Sequence, residues 1–168
     1  GTRFFFSAHM DTIVQNMSID IGFGDVVTPS PVSIEFPQLL SDVPSVNLKA
    51  YSIETVIAEK FHTMLDRDVF NSRMKDFFDC YQLFLRFDIN EQELYQAIKA
   101  TFSNRQLENT PGRMLFTTEF ANGEERNINW NSFLRKIHWK EKLDFPTVMN
   151  LLRQKLKPLE ERYWKEMG

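Results

Sequence analysis

The stretch Tyr51-Ser-Ile-Glu-Thr-Val-Ile-Ala-Glu-Lys-Phe-His-Thr-Met-Leu65 decides how the chain is read. Ile53, Val56, Ile57, Phe61 and Met64 recur at the i, i+3, i+4 spacing of an amphipathic helix, and Ser52 stands where a cap belongs. Lys60 lies on the same stripe, four residues after Val56 and three after Ile57. Burying an unpaired ammonium is costly, so a lysine there needs a partner or an anionic ligand such as a phosphate. The alternative is that Lys60 snorkels past its neighbours to water. On the first view the inward charge is a burden without its ligand. Replacing Lys60 is then expected to leave stability unchanged or raised.

Downstream, Asn71 marks a loop and Ser72 reads as the cap of a second helix over about residues 72–87. Its inward side is Met74, Phe77, Phe78, Tyr81, Phe84 and Leu85. On a wheel of 100° per residue, Asp76 falls at the flank of this stripe and Asp79 nearly opposite it. Asp76 is thus the better partly buried carboxylate and the natural partner of Lys60. Asp79 is placed for an i, i+4 pair with Lys75.

Upstream, residues 2–10 and 13–23 read as a hairpin turning at Asp11-Thr12. A proline-rich connection over residues 28–45 surrounds a short Val32–Phe36 stretch, and Val46–Ala50 is a further strand. Asp20 alternates with Ile19 and Ile21, so it faces away from them. That position suits a metal ligand or base, though alternation alone favours a surface residue.

From residue 88 the pattern becomes helical, with helices over about 90–103, 130–137 and 145–163. Residues 104–127 read as irregular or as containing short strands, with Pro111-Gly112 and Asn122-Gly123 as turn signals. The expected fold class is α+β. Residues 1–87 form a small mixed or antiparallel sheet with packed helices, and residues 88–168 a mainly helical C-terminal subdomain.

Composition sets outer limits. The 168 residues are 42% hydrophobic and 26% charged, as in a globular protein, and 16 phenylalanines point to an aromatic core. No apolar run reaches the length of a membrane span. The single cysteine, Cys80, cannot form an internal disulfide, which suits a reducing cytoplasm. The net charge of −3 hides an asymmetry. Residues 1–125 carry 10 Lys+Arg against 18 Asp+Glu, and residues 126–168 carry 10 against 5. A basic end on an acidic body could attract a polyanion, but a run this mixed is more simply a solvated helix face. The three histidines lack metal-ligand spacing, and Gly22-Phe-Gly24 is too short for a phosphate loop. The chain enters a strand with no cap or turn before it, which suggests a piece of a longer protein.

In this order, three stretches resemble the AbiEii/AbiGii toxin family of the polymerase-β-like nucleotidyltransferase superfamily. They are Ile19-Asp-Ile-Gly-Phe-Gly-Asp25; Tyr51-Ser-Ile-Glu-Thr with Ala58-Glu-Lys60 and Arg67; and Arg73-x-Lys-Asp-Phe-x-Asp79. The second and third together are the specific ones. The tail, with Trp130-Asn-Ser-Phe and Phe145-Pro-Thr-Val, also looks like the family's helical part.

The resemblance implies transfer of a nucleotide from a nucleoside triphosphate to an RNA acceptor, often the acceptor end of tRNA. It implies Mg²⁺ as cofactor and a cognate antitoxin as a partner. Lys60 would contact phosphates and Asp76 would complete that half of the site. Asp20 would supply the third, metal-binding carboxylate, and Arg67, Arg73, Lys75 and Asp79 would bind substrate. The family's Gly-Ser…Asp-x-Asp metal motif has no counterpart in these residues. The expectation is a nucleotidyltransferase that is inactive without that motif and holds no tightly bound cofactor alone. The competing reading is a non-catalytic module that binds RNA or a protein.

Overall fold

The computed structural model describes residues 1–38 and 42–168. In chain order these form strands β1 (Thr2–Met10), β2 (Ile13–Ile21), β3 (Val32–Phe36) and β4 (Val46–Ala50), then helix α1 (Ile53–Arg67). A short 3-10 turn, Asp68–Phe70, leads to α2 (Met74–Arg86), α3 (Glu91–Asn104), α4 (Thr118–Asn122), α5 (Glu124–Lys136) and α6 (Phe145–Met167). The α+β expectation is met, and the sheet component is antiparallel. β1 pairs with β2 and β3 with β4, each as a two-stranded sheet.

The hairpin register explains its two faces. Phe4 lies opposite Ile19, Phe6 opposite Met17 and Met10 opposite Ile13, so these side chains share one apolar face. Arg3 lies opposite Asp20 and Ser7 opposite Asn16 on the other. Asp11 makes the turn in the left-handed region, at φ 50°, which aspartate tolerates better than most residues. The second sheet is built alike, with Ile34 opposite Leu48 and Phe36 opposite Val46. The apolar face of each hairpin is exposed.

The core lies in the helices. Ile57, Phe61 and Met64 of α1, Phe77 and Cys80 of α2, and Ile98 and Phe102 of α3 join Trp130 of α5 in one buried cluster. Phe145 and Leu152 of α6 belong to it too. The cluster runs continuously across residue 88. Aromatic rings knit it together: Phe77 meets Phe145 edge-on at 5.3 Å between centroids, and Phe61 sits 5.5 Å from Phe102. Trp130 Nε1 donates to the Leu143 carbonyl at 2.8 Å, so its polar edge is not stranded.

Several local expectations change. Ser52 does cap α1, its hydroxyl accepting from Thr55 N at 3.1 Å. Ser72 does not cap α2. The N-cap position is Arg73, with no side-chain cap bond; Asn71 Oδ1 accepts from Arg73 N at 2.9 Å in the loop before it, and the helix begins at Met74. Leu85 is 58% exposed, because the stripe drifts off the core near the helix end. Residues 104–127 are not wholly irregular, and they hold helix rather than short strands: Thr117 caps α4 and α5 starts at Glu124. Residues 124–129 carry a polar run that shows no helical rhythm, so the first turns of α5 leave little trace in the sequence. α6 runs on to Met167 with Pro158 inside it, at an exposed position. Part of the proline-rich connection, residues 39–41, lies outside the described residues.

Candidate functional site

α1 and α2 pack together and put Lys60 against two carboxylates. Lys60 Nζ donates to Asp76 Oδ1 at 2.7 Å and lies 2.8 Å from Asp79 Oδ2. Arg73 Nε donates to Asp76 Oδ2 at 2.7 Å, and Lys75 Nζ to Asp79 Oδ2 at 2.5 Å. The five groups alternate in charge: Arg73, Asp76, Lys60, Asp79, Lys75. The centre of the row is sheltered and its cationic ends are open. The Asp76 side chain is 5% exposed, Lys60 20%, Arg73 56% and Lys75 72%.

Local chemistry explains this placement. Asp76 lies in the first turn of α2, where the helix dipole and free amides favour a negative charge. Lys60 reaches it because Ile57, Phe61 and Met64, on either side of the lysine, anchor α1 in the core. Burial alone would pull the Lys60 ammonium down, but the bonds to Asp76 and Asp79 outweigh it and hold its pKa above the ordinary value. Burial would likewise raise Asp79, yet the bonds from Lys60 and Lys75 keep its carboxyl below its ordinary value. Asp79 therefore does more than brace α2, since it is the second arm holding Lys60. Cys80 lies behind the row, fully buried, and burial pushes its thiol far up, so it stays protonated.

The structure brings together Lys60, Asp76, Arg73, Lys75 and Asp79. It does not bring Asp20 to them. Asp20 is exposed on β2, held by two bonds from Arg3 directly across the hairpin, one of them Nη2 to Oδ2 at 2.8 Å. Those bonds keep its carboxyl below the ordinary range. Arg67 ends α1, exposed, about two turns beyond Lys60. A separate cavity of about 610 Å³ opens between Val69–Ser72 and Glu119–Arg126; its lining holds none of these seven residues.

The donor set does not fit a divalent cation. Asp20, Asp76 and Asp79 are each already bonded to a cationic side chain. Among the described residues, no cluster of three or more acidic, histidine or cysteine side chains could hold a metal. What the row can do is present an ammonium, flanked by a guanidinium and a second ammonium, to an anion.

A second polar group was not found by sequence reasoning. Arg105, just past the end of α3, bonds Asp25 Oδ1 at 3.0 Å and also Glu59, the residue before Lys60. Tyr51 donates its hydroxyl to Asp25 Oδ2 at 3.3 Å. Burial raises the Glu59 carboxyl above its ordinary value, against the pull of Arg105. The only clue in the sequence was that Glu59 stands inside Ala58-Glu-Lys60. Arg105 is too distant along the chain for any local pattern to single it out.

The family model described as "Nucleotidyl transferase AbiEii toxin, Type IV TA system" matches residues 1–153. No curated protein and no solved structure matches the chain. No helix among the described residues is long and apolar enough to cross a membrane.

Proposed function

The chain belongs to the AbiEii nucleotidyltransferase toxin family, and from that membership we propose that it serves nucleotide transfer from a nucleoside triphosphate to an RNA acceptor such as tRNA. The observation that supports this is the Lys60 ammonium, kept charged by Asp76 and Asp79, partly exposed, and set in a row that ends on the exposed Arg73 and Lys75. In this reading Lys60, with two N–H groups on Asp76 and Asp79, turns its third onto a phosphate oxygen of the triphosphate. Arg73 and Lys75 add attraction at the rim, and Arg67 extends the cationic path along α1. Asp76 and Asp79 hold the ammonium in line beforehand, so little reorganisation is left for the moment of reaction.

These residues bind and orient an anion, and no metal step is assigned to them. Mg²⁺ would enter through a Gly-Ser…Asp-x-Asp half of the family site, which these 168 residues do not contain. Asp20 could join that half only by giving up Arg3. A cognate antitoxin and a cytoplasmic setting belong to the same reading, as does the division into residues 1–87 and 88–168.

The test is nucleotide incorporation by the full-length protein with labelled triphosphates, Mg²⁺ and a tRNA pool. Wild type should label RNA, Lys60→Ala should lose nearly all labelling, and the isolated 168-residue chain should give none. Labelling by Lys60→Ala at the wild-type rate, in a protein that remains folded, would remove Lys60 from the reaction.

A further inference from the structure

The geometry points to Arg105 as a positioning residue: its guanidinium, shared between Asp25 and Glu59, fixes the β1–β2 hairpin relative to the helix that carries Lys60. The two elements barely touch otherwise. β1 and β2 bury nothing in the helical core, and every residue of both strands is exposed. What ties the hairpin down is a set of polar contacts just past its end. Asn104 Nδ2 donates to the Gly24 carbonyl at 2.9 Å. Arg105 bonds Asp25 and Glu59, and Tyr51 reaches the other oxygen of Asp25. Thr55 and Thr28 exchange hydrogen bonds at 2.7 and 3.2 Å.

Thr55 also reaches across from α1 to Thr28, and Arg105 is the charged member of this set. One nitrogen, Nη2, serves a carboxylate from the hairpin end and a carboxylate of α1. Two carboxylates brought this close would repel without it. Removing the guanidinium therefore turns a three-point junction into a like-charge contact, while the core in α1–α6 is untouched. Glu59 immediately precedes Lys60, so a hairpin released at Asp25 loses its fixed distance to the phosphate-binding lysine. A displacement near one ångström in a reacting constellation is enough to cost a large factor in rate.

The kinetic half of this inference rests on the nucleotidyl-transfer reading; the positional half does not. The experiment separates them. Spin labels are placed on the full-length protein at Ser18→Cys, on the polar face of the hairpin, and at Gln154→Cys, on the exposed side of α6. Cys80 is buried and stays unlabelled. The distance distribution is recorded for wild-type background, Arg105→Gln, Asp25→Asn, the double variant and Arg105→Lys. A narrow distribution in the wild type should broaden in both single variants, broaden no further in the double, and be partly restored by Arg105→Lys. In transfer assays, kcat should fall on the order of tenfold to a hundredfold while KM for the triphosphate stays within about twofold. A distribution that stays narrow in both single variants overturns the proposal. So does broadening with unchanged kcat in a protein that transfers nucleotides. If the wild type transfers nothing, the functional reading fails, and the spin-label distances alone decide whether Arg105 fixes the hairpin.

Discussion

Lys60 of α1 stands between Asp76 and Asp79 of α2, 2.7 Å from the first and 2.8 Å from the second. The two carboxylates are not equivalent. Asp76 is almost fully buried and holds Arg73 as well, whereas Asp79 is a quarter exposed and holds Lys75. This asymmetry gives different consequences for removing each group.

Asp76→Ala should destabilise the fold by about 2–4 kcal/mol, because it strips a half-buried ammonium of its better-sheltered partner. Asp79→Ala should cost about 1 kcal/mol or less, since water can replace part of what is lost. Denaturant melts of the two variants check the order. Equal losses would mean that burial does not separate the roles of the two carboxylates.

Lys60→Met should lower stability by about 1–3 kcal/mol, because two carboxylates lose their shared cation while keeping Arg73 and Lys75. Treating the lysine as uncompensated gives the opposite sign, so this measurement reads directly on the pairing. A melting midpoint at or above that of the wild type would show that the pair does not stabilise the fold.

His62 should make stability depend on mildly acidic pH. It is buried, and burial, then the nearby Arg105, hold its pKa below the ordinary 6.5, against the smaller opposing effect of Asp66. The unfolded chain then binds a proton more readily than the folded one. Stability from this group is complete above the unfolded pKa and is lost as pH falls through it toward the folded value. Chemical denaturation between about pH 7 and pH 5 should show a declining midpoint, with a flatter decline in His62→Leu.

The 168-residue chain should bind a hydrophobic dye in its native state. Phe4, Phe6, Met10, Ile13, Met17 and Ile19 share one exposed face, broken only at the Ala8–Gln15 pair and larger than a scatter of single apolar residues. Replacing Phe4, Phe6 and Met17 together with serine should remove most of the native-state fluorescence and leave the helical circular dichroism unchanged. Retained fluorescence would place the dye elsewhere.

Much of this was legible from residue order. The stripe of Ile57, Phe61 and Met64 marked α1 and set Lys60 on its inner side, and the spacing of Met74, Phe77 and Tyr81 marked α2. Period-two spacing marked the β1–β2 hairpin, while Val46–Ala50 read as a strand and Val32–Phe36 only as a short stretch within an extended connection. Asp76 was identifiable as the partner of Lys60, since a wheel position and the cost of a lone buried charge are both local arguments. Tertiary structure decided the rest. Asp79 lies on the outer side of an isolated α2, yet α1 brings Lys60 over to it, which no wheel of one helix contains. Ser72 does not cap α2 because the helix starts one residue later than its position requires, with Arg73 at the N-cap and Asn71 bracing the approach through Arg73 N. Asp20 and Lys60 belong to one motif order in sequence but to separate charge groups in space, because Arg3 lies directly across the hairpin from Asp20. Arg105 meets Asp25 across 80 residues of chain. Periodicity reports which side of an element is apolar; only the packing of elements determines which charges meet.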